Sequence, residues 1–217
     1  MFSRGSSIGA FATLVALDVG HYAAEPGAIS ATGRPEFEYN LDLALEVKAN
    51  LESMGIRVKM IGERGDYAVL YHRTRDANGA DLLVSIHHDS VREELLPRAG
   101  EFSGFSLFVS RLNPQAARSL ACASLIGKAL REEGFAPSRY HADPVLGESR
   151  PFADETNGVH YYNYLAVART AATAAVLVEA GVIVNREEEA RMRDPAVRKR
   201  IAGALAHGIR ECLEREK

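Results

Sequence analysis

Two histidines and one glutamate stand where a parallel-sheet enzyme keeps its chemistry. In the 217-residue chain, His21 follows the first strongly hydrophobic run, His87 follows the third, and Glu179 ends the fifth. The carboxyl ends of parallel strands meet at one edge of a sheet, so side chains at these positions converge. A lone histidine at a strand end is usually an ordinary surface residue. Two at equivalent positions, with acidic residues nearby, favour a metal site.

Two carboxylates could complete such a site. Glu36 and Glu38 follow the turn EPGAISATGRP and begin the first predicted helix, on the same sheet edge as His21. Two histidines and one carboxylate are a ligand set of catalytic zinc, which keeps a fourth position for water. The alternative is that both acids only favour the positive end of the helix.

Glu179 interrupts the otherwise hydrophobic run AAVLVEAGVIVN. Burying an unpaired carboxylate is costly, so an acid at this position needs a reason. Next to a metal it could be a fourth ligand, or it could stay off the metal and accept the proton of an attacking water. The alternative is an ion pair with a nearby arginine such as Arg169.

Alternating strands and helices must position these side chains. Short hydrophobic runs predict strands at 14–18, 56–61, 82–86, 105–109 and 175–178. Helical periodicity predicts a helix closed by Gly55, a second opened by Asn113-Pro114 and a last one opened by Asp194-Pro195. The pattern predicts one α/β domain over residues 1–217. We expect three α/β/α layers, with a mostly parallel twisted sheet of about five to six strands covered by helices on both faces.

The stretch 137–164 has polar aromatic residues but little apolar periodicity, and it is predicted to be a long loop. Loops of this length in compact domains are usually lids, binding loops or disordered insertions, and the polar aromatic residues favour binding over disorder. We predict that this excursion borders the active-site cleft. Candidate substrate-binding residues are Arg139, Tyr161 and Tyr162 within it, and Arg169 beyond it.

Composition excludes several other functions. A formal net charge of -3 and a pI near 6.2 offer no basic face for phosphates, so we expect no nucleic-acid partner. No apolar stretch approaches the roughly 20 residues that cross a bilayer, so we expect no membrane span. The run IGAFATLVAL resembles a short signal core but has no small-residue cleavage site, which favours a buried strand. Cys122 and Cys212 are predicted to be core thiols.

Four segments together resemble a known family. They are ALDVGHYAAEPGAIS, EFEYNLDLALEVKANLESMGIRV, ERGDYAVLYHRTRDANGADLLVSIHHDS and LAVARTAATAAVLVEAGVIVN. Their order and spacing are similar to the zinc-dependent N-acetylmuramoyl-L-alanine amidases of the amidase 3 type. The resemblance implies that His21, Glu36 and His87 hold one zinc ion and selects Glu36 over Glu38. It also implies that Glu179 is the catalytic glutamate.

The implied reaction cuts the amide between N-acetylmuramic acid and L-alanine in peptidoglycan or muropeptides. Zinc activates water, and Glu179 takes the proton of the water and returns it to the leaving amine. The resemblance places the enzyme in the cell envelope, periplasmic or secreted, as a hydrolase of wall remodelling or an autolysin. The sequence leaves the oligomeric state open.

Several residues differ from the pattern of the family, and two other functions are alternatives to the amidase. Tyr22, Val182 and either Ala174 or Ala175 differ from the residues usual in the family. The stretch between His87 and Phe105 is too short for the long helix with which some members block their zinc. An open site, or one covered by the excursion, is therefore expected. The rivals are a zinc carboxypeptidase or aminopeptidase acting on peptides, and a zinc-free wall-binding or regulatory module.

Overall fold

One seven-stranded sheet runs through residues 13–215, the part of the chain that the computed structural model describes. In chain order the strands are β1 (Leu14–Val19), β2 (Arg57–Ile61), β3 (Leu82–Asp89), β4 (Ser106–Val109), β5 (Phe152–Asp154), β6 (Val159–Tyr161) and β7 (Ala175–Val182). Their order across the sheet is β2-β1-β3-β7-β4-β6-β5. The first four of these pair in parallel, and β4 runs antiparallel to β7.

Helices cover both faces of the sheet. They are α1 (Glu36–Ser53), α2 (Leu70–Asp76), α3 (Ala116–Glu132), α4 (Ala166–Thr170), α5 (Arg186–Arg193) and α6 (Pro195–Glu214), with 3₁₀ segments at Glu93–Glu101 and Tyr140–Ala142. Helices α1, α3 and α6 pack together over the larger core, and α2 and α4 pack on the opposite side. The predicted three-layer α/β/α class is confirmed. Within residues 13–215 no helix is long and apolar enough to cross a membrane.

The two faces of the sheet are unequally covered. Side chains alternate between the faces of a strand, so Val15, Leu17 and Val19 enter the larger core, whereas Ala16 and Asp18 face α2 and α4. Those two helices have only seven and five residues. They leave part of their face open, and this opening holds the cleft described below.

The sheet is larger than the five or six strands predicted, because the excursion 137–164 is not only a loop. It contributes β5 and β6, and β6 pairs in parallel with β4 through Leu107 and Val159. Strands of three residues are too short to show a period of two, so they could not be recognised from the pattern of hydrophobic residues. Strands β3 and β7 also extend further than predicted, and His87 and Glu179 therefore lie within strands rather than just past or at their ends.

The predicted helix starts differ in outcome. Asp194 caps α6 as predicted, and its carboxylate accepts the backbone N–H of Ala196 at 2.8 Å. Asn113 does not cap α3, which starts further along the chain. Its side-chain amide instead donates to the backbone carbonyls of Ala168 and Thr173, at 2.8 and 3.1 Å, and ties the loop before α3 to α4 and to the turn before β7.

Cys122 and Cys212 lie in the core as predicted, but they are not free thiols, because they form a disulfide between α3 and α6. Their Cα atoms lie 5.0 Å apart although 90 residues separate them in sequence. The close packing of these two buried helices brings the cysteines together, which sequence distance alone does not reveal. Of the run 8–17 with signal-like character, residues 8–12 lie outside the described part, and Leu14 onward forms β1 as expected.

Candidate active site

Three side chains from separate segments meet at the carboxyl end of β1 and β3. Nε2 of His21 lies 3.0 Å from Oε2 of Glu36, and Nδ1 of His87 lies 3.0 Å from Oε1 of the same carboxylate. All three potential ligand atoms fall within 4.8 Å of one another. His21 follows β1, Glu36 is the first residue of α1 and His87 lies in β3. The structure therefore brings together the three residues that the sequence nominated as metal ligands.

Glu36 is a buried anion. Burial raises the pKa of its carboxyl, but hydrogen bonds to the two imidazoles and their charges outweigh this, and the pKa falls below its usual range. The carboxylate also accepts the side-chain amide of Asn40 at 3.1 Å and the backbone N–H groups of Ala28 and His88 at 3.1 and 3.3 Å. These donors fix its position.

Glu38, the other candidate, is not part of this cluster. Its carboxylate is 54% exposed and pairs with the guanidinium of Arg34 at 2.9 Å. Residues two apart on a helix point in different directions. Only Glu36 faces the histidines.

Two glycines approach the cluster so closely that a side chain at either position would collide with it. A Cβ on Gly20 would lie 2.3 Å from Cε1 of His87, and one on Gly27 would lie 2.3 Å from Oε2 of Glu36 and 2.6 Å from the ring of His21. Gly27 also has φ +80°, a backbone conformation that residues with a side chain rarely adopt. The Gly-rich turn is therefore shaped around the three side chains.

A buried ion pair between Arg73 and Asp18 supports the backbone of His21. Arg73, 1% exposed, donates to Oδ1 of Asp18 at 2.7 Å and also to the carbonyl of His21. Oδ2 of Asp18 accepts the hydroxyl of Ser85 at 2.6 Å, which links β1 to β3. His21 has φ +65°, uncommon for a residue with a side chain, and the hydrogen bond from Arg73 helps to hold it there.

Glu179 stands beside the cluster. It pairs in the sheet with His87, and its Oε2 is buried with no hydrogen-bond partner among residues 13–215. Burial raises its pKa well above the usual range, and the charges of Asp89 and Glu36 raise it further. The alternative of an ion pair with Arg169 does not hold, because Arg169 is exposed on α4. Glu179 is also outside the three-residue ligand cluster found in the described part of the chain.

Two cavities meet at His21 and His87. The first, of about 440 Å³, is here called the charged cavity and includes Glu36, Asp89, His141, Glu148, Arg150 and Glu179 in its wall. The second, of about 390 Å³, is called the apolar hollow after its apolar members Ala68, Leu70, Leu165, Ala166, Val167 and Leu177, and its wall also includes Asp18, Tyr22, Glu25 and Arg73. The two histidines line both. Glu36 and Glu179 line only the charged cavity of the two.

The excursion borders the cleft, but most of the nominated substrate-binding residues lie elsewhere. Tyr162 lines the charged cavity. Arg139 is 72% exposed in a surface ion pair, Tyr161 lies under the guanidinium of Arg111 at 3.9 Å, and Arg169 points to solvent. Neither cavity has any of these last three residues in its wall.

Sequence reasoning missed a hydrogen-bonded group in the charged cavity. Oδ2 of Asp89 accepts the hydroxyl of Tyr140 at 2.6 Å and contacts Nε2 of His141 at 2.7 Å. Burial lowers the pKa of His141, but the charge and hydrogen bond of Asp89 and the carboxylate of Glu148 raise it, and the net shift is upward. The polar aromatic content of the excursion was the available signal, and it did not identify which residues turn inward.

The contribution of the Gly-rich turn to metal binding can be tested by substituting two of its glycines, one beside the cluster and one away from it. Gly27→Ala should lower zinc affinity roughly 10- to 100-fold, as loss of the support around a metal ligand does, because the new Cβ displaces Glu36 and His21. Gly33→Ala is the control: Gly33 has φ +92° in the same turn, but its Cβ would meet nothing within 4 Å. Both variants should lose stability through backbone strain, on the order of 1 kcal/mol. Equal zinc affinity in the two, measured by competition with a chelating dye, would contradict the proposed fit.

Comparisons with known proteins identify the family of this chain. A sequence model of the N-acetylmuramoyl-L-alanine amidase family matches residues 15–211. AmiA of Salmonella typhimurium, an N-acetylmuramoyl-L-alanine amidase, is 28% identical over 218 residues, covering 90% of this chain and 74% of AmiA. The catalytic domain of the amidase CwlV from Bacillus (Paenibacillus) polymyxa superposes with a TM-score of 0.74 at 26% identity, covering 93% of this chain and 98% of that one. The apo form of the amidase Ami1 from Mycobacterium abscessus gives 0.77 at 25%, covering 94% and 100%. This chain belongs to the N-acetylmuramoyl-L-alanine amidase family.

Proposed function

We propose that this chain hydrolyses the amide between N-acetylmuramic acid and L-alanine in peptidoglycan or its muropeptide fragments. His21, Glu36 and His87 hold one zinc ion, and Glu179 is the general base. The observation that carries the proposal is the cluster of two imidazoles and a buried carboxylate with the unpartnered oxygen of Glu179 beside it. Family membership and the names of AmiA and CwlV support the choice of bond.

The residues present fit zinc. Two imidazole nitrogens and one carboxylate are a donor set that catalytic zinc uses. The carboxylate is already ionised, and the glycines at positions 20 and 27 leave room that a Cβ would fill. A zinc ion at this site supplies Lewis acidity toward the scissile carbonyl and lowers the pKa of water.

Glu179 is suited to move the proton. Its Oε2 is buried beside the cluster and has no competing hydrogen bond among residues 13–215, so this oxygen is free to accept the proton of a water molecule. It takes a proton from the attacking water as the new C–O bond forms. It then gives that proton to the alanine nitrogen as the C–N bond breaks, which regenerates the carboxylate.

We propose a cell-envelope location, periplasmic or secreted. The substrate lies outside the cytoplasm, and the disulfide between Cys122 and Cys212 suits an oxidising compartment, since such bonds are rare in reducing cytosol.

Product analysis tests the bond. Purified peptidoglycan is digested with the zinc-loaded protein and the fragments are analysed by mass spectrometry after labelling of new amino termini. We expect new L-alanine amino termini and no new reducing sugar ends. New reducing ends would indicate a glycosidase. Cleavage confined to bonds within the stem, or of unrelated free peptides at the same rate, would indicate a peptidase.

A second experiment separates the two glutamates. Glu36→Gln should lose zinc on dialysis against a weak chelator, because it removes the anionic ligand. Glu179→Gln should keep one zinc per chain and lose on the order of 10²- to 10⁴-fold in turnover, as expected for a general base. Glu38→Gln is the matched control and should resemble wild type in both respects, because Glu38 pairs with Arg34 on the surface. Zinc content and turnover are measured side by side.

The opposite pattern would invert the assignment. If Glu179→Gln lost its metal while Glu36→Gln retained it, Glu179 would be the ligand. If Glu38→Gln also lost zinc, the position of the ligand carboxylate would be wrong.

A further inference from the structure

Arg150 is a cation in the charged cavity that the proposed reaction does not use. Its guanidinium carbon lies 3.8 Å from the ring centroid of Tyr162 and 5.1 Å from that of Phe108, so aromatic rings hold the group. Nη2 donates to Glu148 at 2.6 Å, whereas Nε is buried and has no hydrogen-bond partner among residues 13–215. The side chain is 16% exposed. Stacking on these rings and the ion pair with Glu148 hold the guanidinium in a fixed orientation in the cavity wall, which suits a ligand with paired acceptors.

The proposed reaction determines which end of the substrate enters which cavity. The leaving alanine nitrogen must receive its proton from Glu179, so the peptide side of the amide lies near that residue. Glu179 lines the charged cavity and not the apolar hollow. The peptide stem therefore enters the charged cavity, and the muramic-acid side extends across His21 and His87 toward the apolar hollow. This step rests on the proposed function.

The stem that enters the charged cavity is anionic. A peptide stem ends in a carboxylate, and each acidic residue within it adds another unless that residue is amidated. Four acids already line the cavity, and this would repel such a ligand. Asp89, however, is occupied by Tyr140 and by His141, and Glu148 is shared between His141 and Arg150. Arg92 also lines the cavity, but its guanidinium is 43% exposed and is engaged by the backbone carbonyl of Val145 and by Glu94. Arg150 is therefore the enclosed cation that can receive a carboxylate.

We propose that Arg150 binds a free carboxylate of the peptide stem, with Tyr162 holding the guanidinium in plane, and thereby sets the preference of the enzyme among stems of different amidation. A guanidinium binds a carboxylate through two parallel hydrogen bonds, which neither an ammonium nor an amide reproduces.

The test uses zinc-loaded protein and synthetic muropeptides in which each free stem carboxylate is converted in turn to a carboxamide. For wild type, one of these conversions should raise KM roughly 10- to 100-fold, the range expected for hydrogen bonds to a charged group. Arg150→Gln should raise KM for the unmodified substrate by a similar factor, with little change in kcat. It should also remove the difference in KM between the carboxylate substrate and its carboxamide counterpart. Arg150→Lys should restore part of that difference. Arg139→Gln is the matched control: it removes an arginine of the same segment that lies outside both cavities, and it should retain wild-type discrimination.

Two results would overturn the proposal. The first is wild-type protein that cleaves every carboxylate and carboxamide pair with equal kcat/KM, a result that needs no folded Arg150 variant. The second is an Arg150→Gln protein that melts like wild type and keeps its discrimination. In both cases the muropeptides are still cleaved at alanine, so the proposed function stands. If wild type cleaves none of them, it is the proposed function that fails.

Discussion

A carboxylate buried between two imidazoles is the constraint on which this end of the sheet depends. An uncompensated buried charge is expensive, and removing one partner of a buried pair leaves the other unpaired. Glu36 avoids that cost because His21, His87, Asn40 and two backbone N–H groups surround it. Each of these groups must keep hydrogen-bonding distance and direction, so one side chain constrains the positions of β1, β3, α1 and the Gly-rich turn.

The supporting contacts come from two sides. Behind β1, the buried pair of Arg73 and Asp18 holds the backbone that carries His21. On the outer side, Oε1 of Glu189 in α5 accepts hydroxyl groups from Ser30, Thr32 and Tyr39, and these contacts tie the Gly-rich turn and the first turns of α1 to α5. The last element of the domain before α6 thus steadies the loop that shapes the candidate metal site. The site consequently depends on packing across most of the chain length.

Most of the fold, the three candidate metal ligands and Glu179 could be predicted from the sequence. Few of the residues that line the charged cavity could. Long strands reveal their faces by alternation, so the convergence of His21, His87 and Glu179 was predictable from position. In the excursion, three-residue strands give no such period, and adjacent residues face opposite sides. Tyr162 turns to the charged cavity while Tyr161 packs against the main core, a distinction that composition cannot make. Arg150 and the disulfide partners were missed because their roles depend on contacts between segments distant in sequence.

The cleft has two chemically different sides: the candidate metal site lies at the junction, Glu179 lies on the charged side and the apolar hollow lies on the other. The proposed function depends most on the identity of the three proposed metal ligands. Anomalous X-ray diffraction at the zinc edge, from crystals of the zinc-loaded protein, tests this most directly. We expect one peak per chain at roughly 2.0–2.2 Å from Nε2 of His21, Nδ1 of His87 and a carboxylate oxygen of Glu36. A peak that lies elsewhere, or one that Glu179 ligates in place of Glu36, would contradict the account.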